Sequence, residues 1–151
     1  TIRAERAAGR KVAVLVSGDP GLFSLAQIVL KSFGRDQCEI IPGISSVQVA
    51  LARLGLEWAD ACILSAHGRT PAIAAGELCR LDKLAILAGT REALQWSAQA
   101  LRWLGNSHAC FLCENLTLPE ERIRRLTADE LAEVDAVSLA IVILVRRSLL
   151  A

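Results

Sequence analysis

Two short stretches of this sequence carry the residue types from which a small-molecule site can be built. Ser17-Gly18-Asp19-Pro20-Gly21 places two glycines, a carboxylate and a φ-fixed proline directly after the apolar, β-branched run Val12–Val16. Open α/β sheets bind their ligands at the carboxyl ends of such strands. Pro42-Gly43-Ile44-Ser45-Ser46 follows a second apolar run, Cys38–Ile41, and sets two hydroxyls where a helix starts. A glycine turn, a hydroxyl cap and a helix N-terminus bring unpaired N–H groups and the helix dipole together, which suits a carboxylate or a phosphate. Each feature also has an ordinary structural use. Serine is a common N-cap, and a turn aspartate hydrogen-bonds its own backbone.

Further along, His67 and Arg69 sit in the turn Ala66-His67-Gly68-Arg69-Thr70, beyond the end of an apolar run. They are either substrate-handling groups or, respectively, a turn cap and the partner of a surface acid. Cys110-x-x-Cys113 has metal-ligand spacing, but no second pair accompanies it and its neighbours Ala109, Phe111 and Leu112 are apolar. Those two cysteines read as buried thiols, and no metal site is expected. His108 reads as a packing or surface residue.

These residues need elements to hold them. Ile2–Ala8 reads as the end of a helix capped by Gly9, Val12–Val16 as a strand buried on both faces, and Leu22–Phe33 as a helix stopped at Gly34. Arg35–Gln37 is a polar turn before a strand at Cys38–Ile41, completing a β-α-β unit with parallel strands and a right-handed crossover. A helix then runs from Ser45 or Ser46 to about Leu54, and Gly55–Asp60 links to a second domain. There Ala61–Ser65 is a strand, Pro71–Leu81 a helix with proline at its first position, and Lys83–Leu87 a buried strand. Thr90 and Glu92 start a helix over Arg91–Leu104 that Gly105 closes. Ser107–Glu114 is a strand, Asn115–Glu121 a loop and Ile123–Leu126 a short strand. Thr127-Ala128-Asp129-Glu130 is a capping box, and Ser138–Val145 a last buried strand.

Composition bounds the function classes. At 151 residues, 53% hydrophobic and 22% charged, the chain is that of a globular protein with a sizeable core. A net charge of +1 supplies no field to hold nucleic acid or a membrane surface. Fourteen of the seventeen basic residues are arginine, which reflects genome composition or a use for planar carboxylate recognition. No signal peptide and no apolar run near the roughly 20 residues of a membrane span is found. With five cysteines, an odd and scattered set, this leads us to expect a cytoplasmic protein. The start at Thr1 and the absence of methionine lead us to expect a piece of a longer protein.

SGDPGLFSLA, then IIPGISSVQVALARLGL at Ile40–Leu56, then SAHGR at Ser65–Arg69, resembles the tetrapyrrole methylases, and within them the precorrin-6Y or cobalt-precorrin-7 C5-methyltransferase branch. CENLTLPEERIRRLTADEL, Cys113–Leu131, resembles the C-terminal domain of the same family. The resemblance implies a two-domain αβα fold of α/β class with an incomplete first domain. Residues 1–58 would be the C-terminal half of the cofactor-loop domain and residues 59–151 the second domain. The family's opening strand and GxGPG-type loop have no counterpart in this sequence.

The resemblance further implies an S-adenosyl-L-methionine-dependent C-methyltransferase of corrin biosynthesis, with the cofactor enclosed by the two domains. Gly18, Asp19 and Pro20 would form its second cofactor loop, and Ser45 and Ser46 match the hydroxyl pair that lies against the cofactor. Ala88, Leu116 and Leu139 match further contact positions. Arg69 would hold a substrate carboxylate bidentately, and His67 would take or relay the proton lost on methylation. A precorrin or cobalt-precorrin substrate, a homodimer and a C15-methylating decarboxylase partner are the implied associations, without nucleic acid or membrane. Two other readings compete: a truncated, non-catalytic dimerising scaffold, and a methylase of the same fold acting on ribosomal RNA or a protein. The weak charge and the lack of a basic aromatic patch count against RNA. A dinucleotide-binding domain is disfavoured because no GxGxxG follows a strand.

Overall fold

The structure is a computed structural model and describes residues 1–66, 68, 70–135 and 138–150. By internal contact the chain divides into two units, Thr1–Ser45 and Ser46–Ala151.

In the first unit, helix α1 (Ile2–Ala7) ends where Gly9 turns left-handed at φ +73° and donates its N–H to the Arg6 carbonyl at 2.9 Å. Helix α2 (Ala26–Phe33) stops at Gly34, φ +85°, before the 3₁₀ turn Arg35–Gln37. The two helices are tied through side chains. The Arg3 and Arg6 guanidiniums lie 5.3 and 5.6 Å from the Phe33 ring centroid, and Arg6 Nη2 donates to Gln37 Oε1 at 2.7 Å.

Neither apolar run of this unit forms a strand, which corrects the expected β-α-β unit. Val12–Val16 and Cys38–Ile41 join no ladder among the described residues, and Leu15 and Ile41 are 92% and 77% exposed. A β-branched run suits a pleated, covered surface, but hydrogen-bonded neighbours must supply the ladder. Helix α2 also begins four residues later than its apolar spacing predicts. Asp19 closes a turn with the Leu22 N–H at 3.1 Å, Phe23 adopts φ +48°, and the Ser24 hydroxyl accepts the Ala26 N–H at 3.2 Å. Local side-chain and turn bonds thus outcompete the first helical turn.

The second unit is a five-stranded sheet with helices on both faces. Its strands are β1 (Cys62–Ser65), β2 (Lys83–Leu87), β3 (His108–Glu114), β4 (Arg122–Leu126) and β5 (Ala140–Arg146), in the order β1-β2-β5-β3-β4. Only β1 and β2 run parallel. The chain inserts β5 antiparallel between β2 and β3, and β3 pairs antiparallel with β4.

Helix α5 (Arg91–Leu104) buries Leu94, Ala98, Leu101 and Leu104 in a core with Leu84, Ile86, Leu112, Val142 and Leu144 from one sheet face. Helix α6 (Ala128–Glu133) adds Leu131 to the same core. Both helices start as their sequences predict. Thr90 Oγ1 accepts the Ala93 N–H at 3.2 Å, and Thr127 with Glu130 forms a reciprocal capping box. Helix α3 (Ser46–Arg53) buries Val47, Ala50 and Leu51 and packs on β5. The helix expected over Pro71–Leu81 is the single turn α4 (Ala75–Leu78). Gly76 sits inside it, and glycine there costs about 1 kcal/mol relative to alanine, too much for so short a helix to propagate.

The link Gly55–Asp60 is anchored from β2. The buried Lys83 ammonium donates to the Glu57 carbonyl at 2.7 Å and pairs with Asp60, which holds that carboxyl below its ordinary range. Among the described residues no helix is long and apolar enough to cross a membrane.

Candidate functional site

In the first unit, Asp19 joins the two glycine turns. Its Oδ1 accepts the Gly21 N–H at 2.7 Å and its Oδ2 the Gly43 N–H at 3.3 Å. Gly18 is exposed and left-handed at φ +70°, and a Cβ there would stand 3.6 Å from the Ser45 Cα. At Gly43 an added Cβ would run into the Gly18 carbonyl oxygen, so the two turns approach this closely only with glycine at that position. Pro20 and Ser45 are buried beside them. The Asp19 side chain thus binds backbone, both its own turn and the neighbouring one. Gly18, Asp19, Pro20 and Ser45 are gathered in one place.

In the second unit, one end of the sheet collects Ala88, Leu116 and Leu139. The Ala66 N–H after β1 donates to the Leu87 carbonyl at 3.1 Å, and the Ala88 N–H after β2 donates to the Ala140 carbonyl at 3.0 Å. The Asn115 N–H after β3 donates to the Leu139 carbonyl at 3.0 Å. Ala88, Leu116 and Leu139 therefore leave or enter neighbouring strands at the same edge of the sheet. Ala88 is fully buried and Leu139 is half exposed. Ser46 opens α3 and is exposed. His67 and Arg69 lie outside the described residues. In sequence they follow Ala66 at this sheet end.

The loop from Asn115 to Glu121 holds what sequence reasoning missed. Asn115 and Thr117 both adopt left-handed backbone, φ +50° and +69°. Asparagine tolerates that conformation, but a β-branched residue pays roughly 1–3 kcal/mol in it. Glu121 holds the turn in place. Its Oε2 accepts the Thr117 N–H at 2.7 Å, and its Oε1 accepts from Arg53 Nε at 2.7 Å. The Arg53 guanidinium and the Thr117 N–H hold the Glu121 carboxyl below its usual range. The asparagine is a recognisable signal for a left-handed turn; nothing in the spacing of Arg53 and Glu121, 68 residues apart, announces their pairing.

Nearby, the buried Glu114 carboxylate accepts from Arg124 Nε at 3.1 Å and Nη2 at 3.0 Å, across the β3–β4 pair. Cys113 and Cys110 are buried in β3, three residues apart and so on opposite faces. Burial pushes both thiols up to about 12, so they are the buried, protonated thiols expected. His108 is buried at the far end of β3. Its Nε2 donates to the Leu81 carbonyl at 2.9 Å, and its Nδ1 lies 2.7 Å from the Ser107 hydroxyl, which donates to the Leu104 carbonyl at 2.7 Å. Desolvation lowers its pKa, and it packs as predicted.

The chain is similar to known proteins over most of its length. The profile of the Tetrapyrrole (Corrin/Porphyrin) Methylases matches residues 1–132. The cobalt-precorrin-7 C(5)-methyltransferase of Salmonella typhimurium is 34% identical over 116 residues, covering 76% of this chain and 57% of that protein. The chain thus spans little more than half the length of this relative. The solved precorrin-6Y methylase of Archaeoglobus fulgidus superposes with a TM-score of 0.65 at 32% identity, over 96% of this chain and 69% of that one. A uroporphyrin-III C-methyl transferase from Thermus thermophilus, complexed with S-adenyl homocysteine, shares the fold with a TM-score of 0.72 at 23% identity, over 95% of this chain and 70% of that one. With the profile match taking in 132 of the 151 residues, the chain belongs to the tetrapyrrole methylases.

Proposed function

We propose that the complete protein is an S-adenosyl-L-methionine-dependent C-methyltransferase acting at C5 of a precorrin or cobalt-precorrin in cobalamin biosynthesis. The observation that carries this reading is the identity shared with a relative named for that position of methylation, over three quarters of this chain. The donor set fits the cofactor. Gly18 offers only backbone, Ser45 and Ser46 offer hydroxyls, and Ala88 is small; such groups suit a methionyl carboxylate, an amine and a ribose rather than a metal.

The cofactor supplies an electrophilic methyl group on a sulfonium. The residues of this chain bind and aim it, because methyl transfer to carbon gains chiefly from positioning and electrostatics. In this reading Gly18, Asp19, Pro20, Ser45, Ser46, Ala88, Leu116 and Leu139 are the cofactor contacts that the family resemblance implies. Arg69 pairs with a carboxylate of the substrate and His67 accepts the proton released from the methylated carbon, the kind of exchange for which an imidazole is suited near neutrality. The organisation into residues 1–58 and 59–151, a cytoplasmic homodimer and a C15-methylating decarboxylase as partner belong to the same proposal.

The test supplies a precorrin substrate and cofactor carrying a 13C-labelled methyl group to the complete protein, and locates the label by NMR. Label at C5 is the expected outcome; label elsewhere on the macrocycle overturns the positional assignment, and no label overturns the activity. A second reading, a non-catalytic self-associating chain, is favoured by one observation, the exposure of Leu15, Ile28, Ile41 and Ile44 in the first unit. It predicts assembly of this 151-residue chain in sedimentation without any affinity for S-adenosylhomocysteine.

A further inference from the structure

Arg53 stands in the last turn of α3, the helix that opens at Ser46. Glu121 closes the loop that carries Leu116. Between them, Arg53 Nε and Nη2 reach the two Glu121 oxygens at 2.7 and 3.4 Å, and Glu121 in turn accepts the Thr117 N–H. The loop needs such a partner. Thr117 is β-branched and left-handed, and its N–H is held by the Glu121 carboxylate rather than by a ladder. The rest of the turn is closed by its own backbone, Leu118 N–H to the Asn115 carbonyl and Glu121 N–H to the Leu118 carbonyl, each at 3.0 Å. Asn115 fastens the start of the loop to Leu139. One ion pair therefore ties the helix that presents Ser46 to the loop that presents Leu116, all within the second unit.

We propose that Arg53 and Glu121 are positioning residues of the cofactor site, their ion pair setting the placement of the Leu116 loop against α3. This rests on the reading of Ser46 and Leu116 as cofactor contacts. A two-point, charge-assisted clasp fixes both distance and orientation, which a single neutral bond does not. A site residue placed a fraction of an ångström out of position loses affinity out of proportion to its own contact.

The experiment compares the complete protein with its Glu121→Ala, Glu121→Gln and Arg53→Ala variants. Three quantities are measured: exchange of the Thr117 amide by NMR, the dissociation constant of S-adenosylhomocysteine by calorimetry, and the thermal midpoint. Glu121→Ala is expected to speed Thr117 exchange and to weaken binding by about tenfold, because the loop that carries Leu116 loses its tie to α3. Glu121→Gln keeps an acceptor for the Thr117 N–H and is expected to retain its protection. It should still bind more weakly than the parent, as Arg53→Ala should, because both lose the ion pair. A lower thermal midpoint with unchanged affinity reduces the pair to a fold contact and overturns the positioning role. Unchanged Thr117 exchange in Glu121→Ala overturns the clasp whether or not cofactor binds. Absence of binding by the parent protein overturns the cofactor reading itself and with it the role assigned to the pair.

Discussion

Asp19 reaches from its own turn to Gly43, 24 residues away, so that one carboxylate receives a backbone N–H from each of two glycine turns. Replacing it by alanine leaves both donors to water and frees the turns to separate. Asp19→Ala is expected to weaken S-adenosylhomocysteine binding by the complete protein about tenfold or more, at a stability cost of about 1–2 kcal/mol. Gly43→Ala should be at least as damaging, because its methyl group meets the Gly18 carbonyl oxygen, backbone that cannot swing aside. Calorimetric titration beside a denaturant melt separates the two effects, and unaltered binding by both variants would sink the role of these turns.

Thr117 is a place where the chain is held against its preference. Thr117→Asn keeps the N–H that Glu121 accepts and relieves the β-branched side chain from the left-handed region. Stability is expected to rise by about 0.5–1 kcal/mol. A urea midpoint below that of the parent would show that the threonine side chain makes a contact worth more than the strain.

His108 makes the fold sensitive to pH. Burial lowers its pKa in the folded chain, with Asp82 opposing and Arg146 reinforcing the shift. The unfolded chain therefore binds the proton first. Stability owed to the neutral ring is fully present above the unfolded value near 6.5 and falls as pH drops from there through the folded pKa. Urea melts between pH 8 and 5 should show this fall in the parent and a flatter profile in His108→Gln, whose amide can still donate to Leu81. Equal slopes for the two proteins would assign the acid sensitivity to carboxylates such as Glu121.

Cysteine reactivity should divide by burial. Cys79 is exposed, whereas Cys110 and Cys113 are buried with thiols near 12. Brief iodoacetamide treatment of the native protein at pH 8 should label Cys79 and spare those two, and addition of denaturant should expose all three to labelling. Native labelling of Cys110 in peptide mass spectra would mean that β3 opens far more often than its buried position implies.

In the core, Leu112 and Leu144 are fully buried on the sheet face under α5. Leu112→Ala should cost about 2–5 kcal/mol, read from the shift in denaturant midpoint. A loss under 1 kcal/mol would mean that the sheet closes over the cavity.

The amino-acid order alone determined those features that depend on neighbours in sequence. Thr90 caps α5, Gly105 ends it, Thr127 and Glu130 build their capping box, and the buried run Lys83–Leu87 is a strand with the predicted ends. The glycine turns at Gly18 and Gly43, and the serines after them, were legible for the same reason. Bonds and backbone preferences that span four residues or fewer are written locally.

Tertiary structure decided whatever depends on partners far along the chain. Val12–Val16 has the composition of a strand but joins no ladder among the described residues, so Val12, Val14 and Leu15 stay exposed. The insertion of β5 between β2 and β3 turns an alternating pattern into a mostly antiparallel sheet, because strand order is set by packing rather than by periodicity. The same order brings Ala88, Leu116 and Leu139 to one sheet end. Arg53 finds Glu121 across 68 residues, and Asp19 finds Gly43 across 24, only once the chain has folded. Neither charge pattern nor spacing encodes such a meeting, since an exposed arginine has many acids to choose from and only the folded backbone limits the choice.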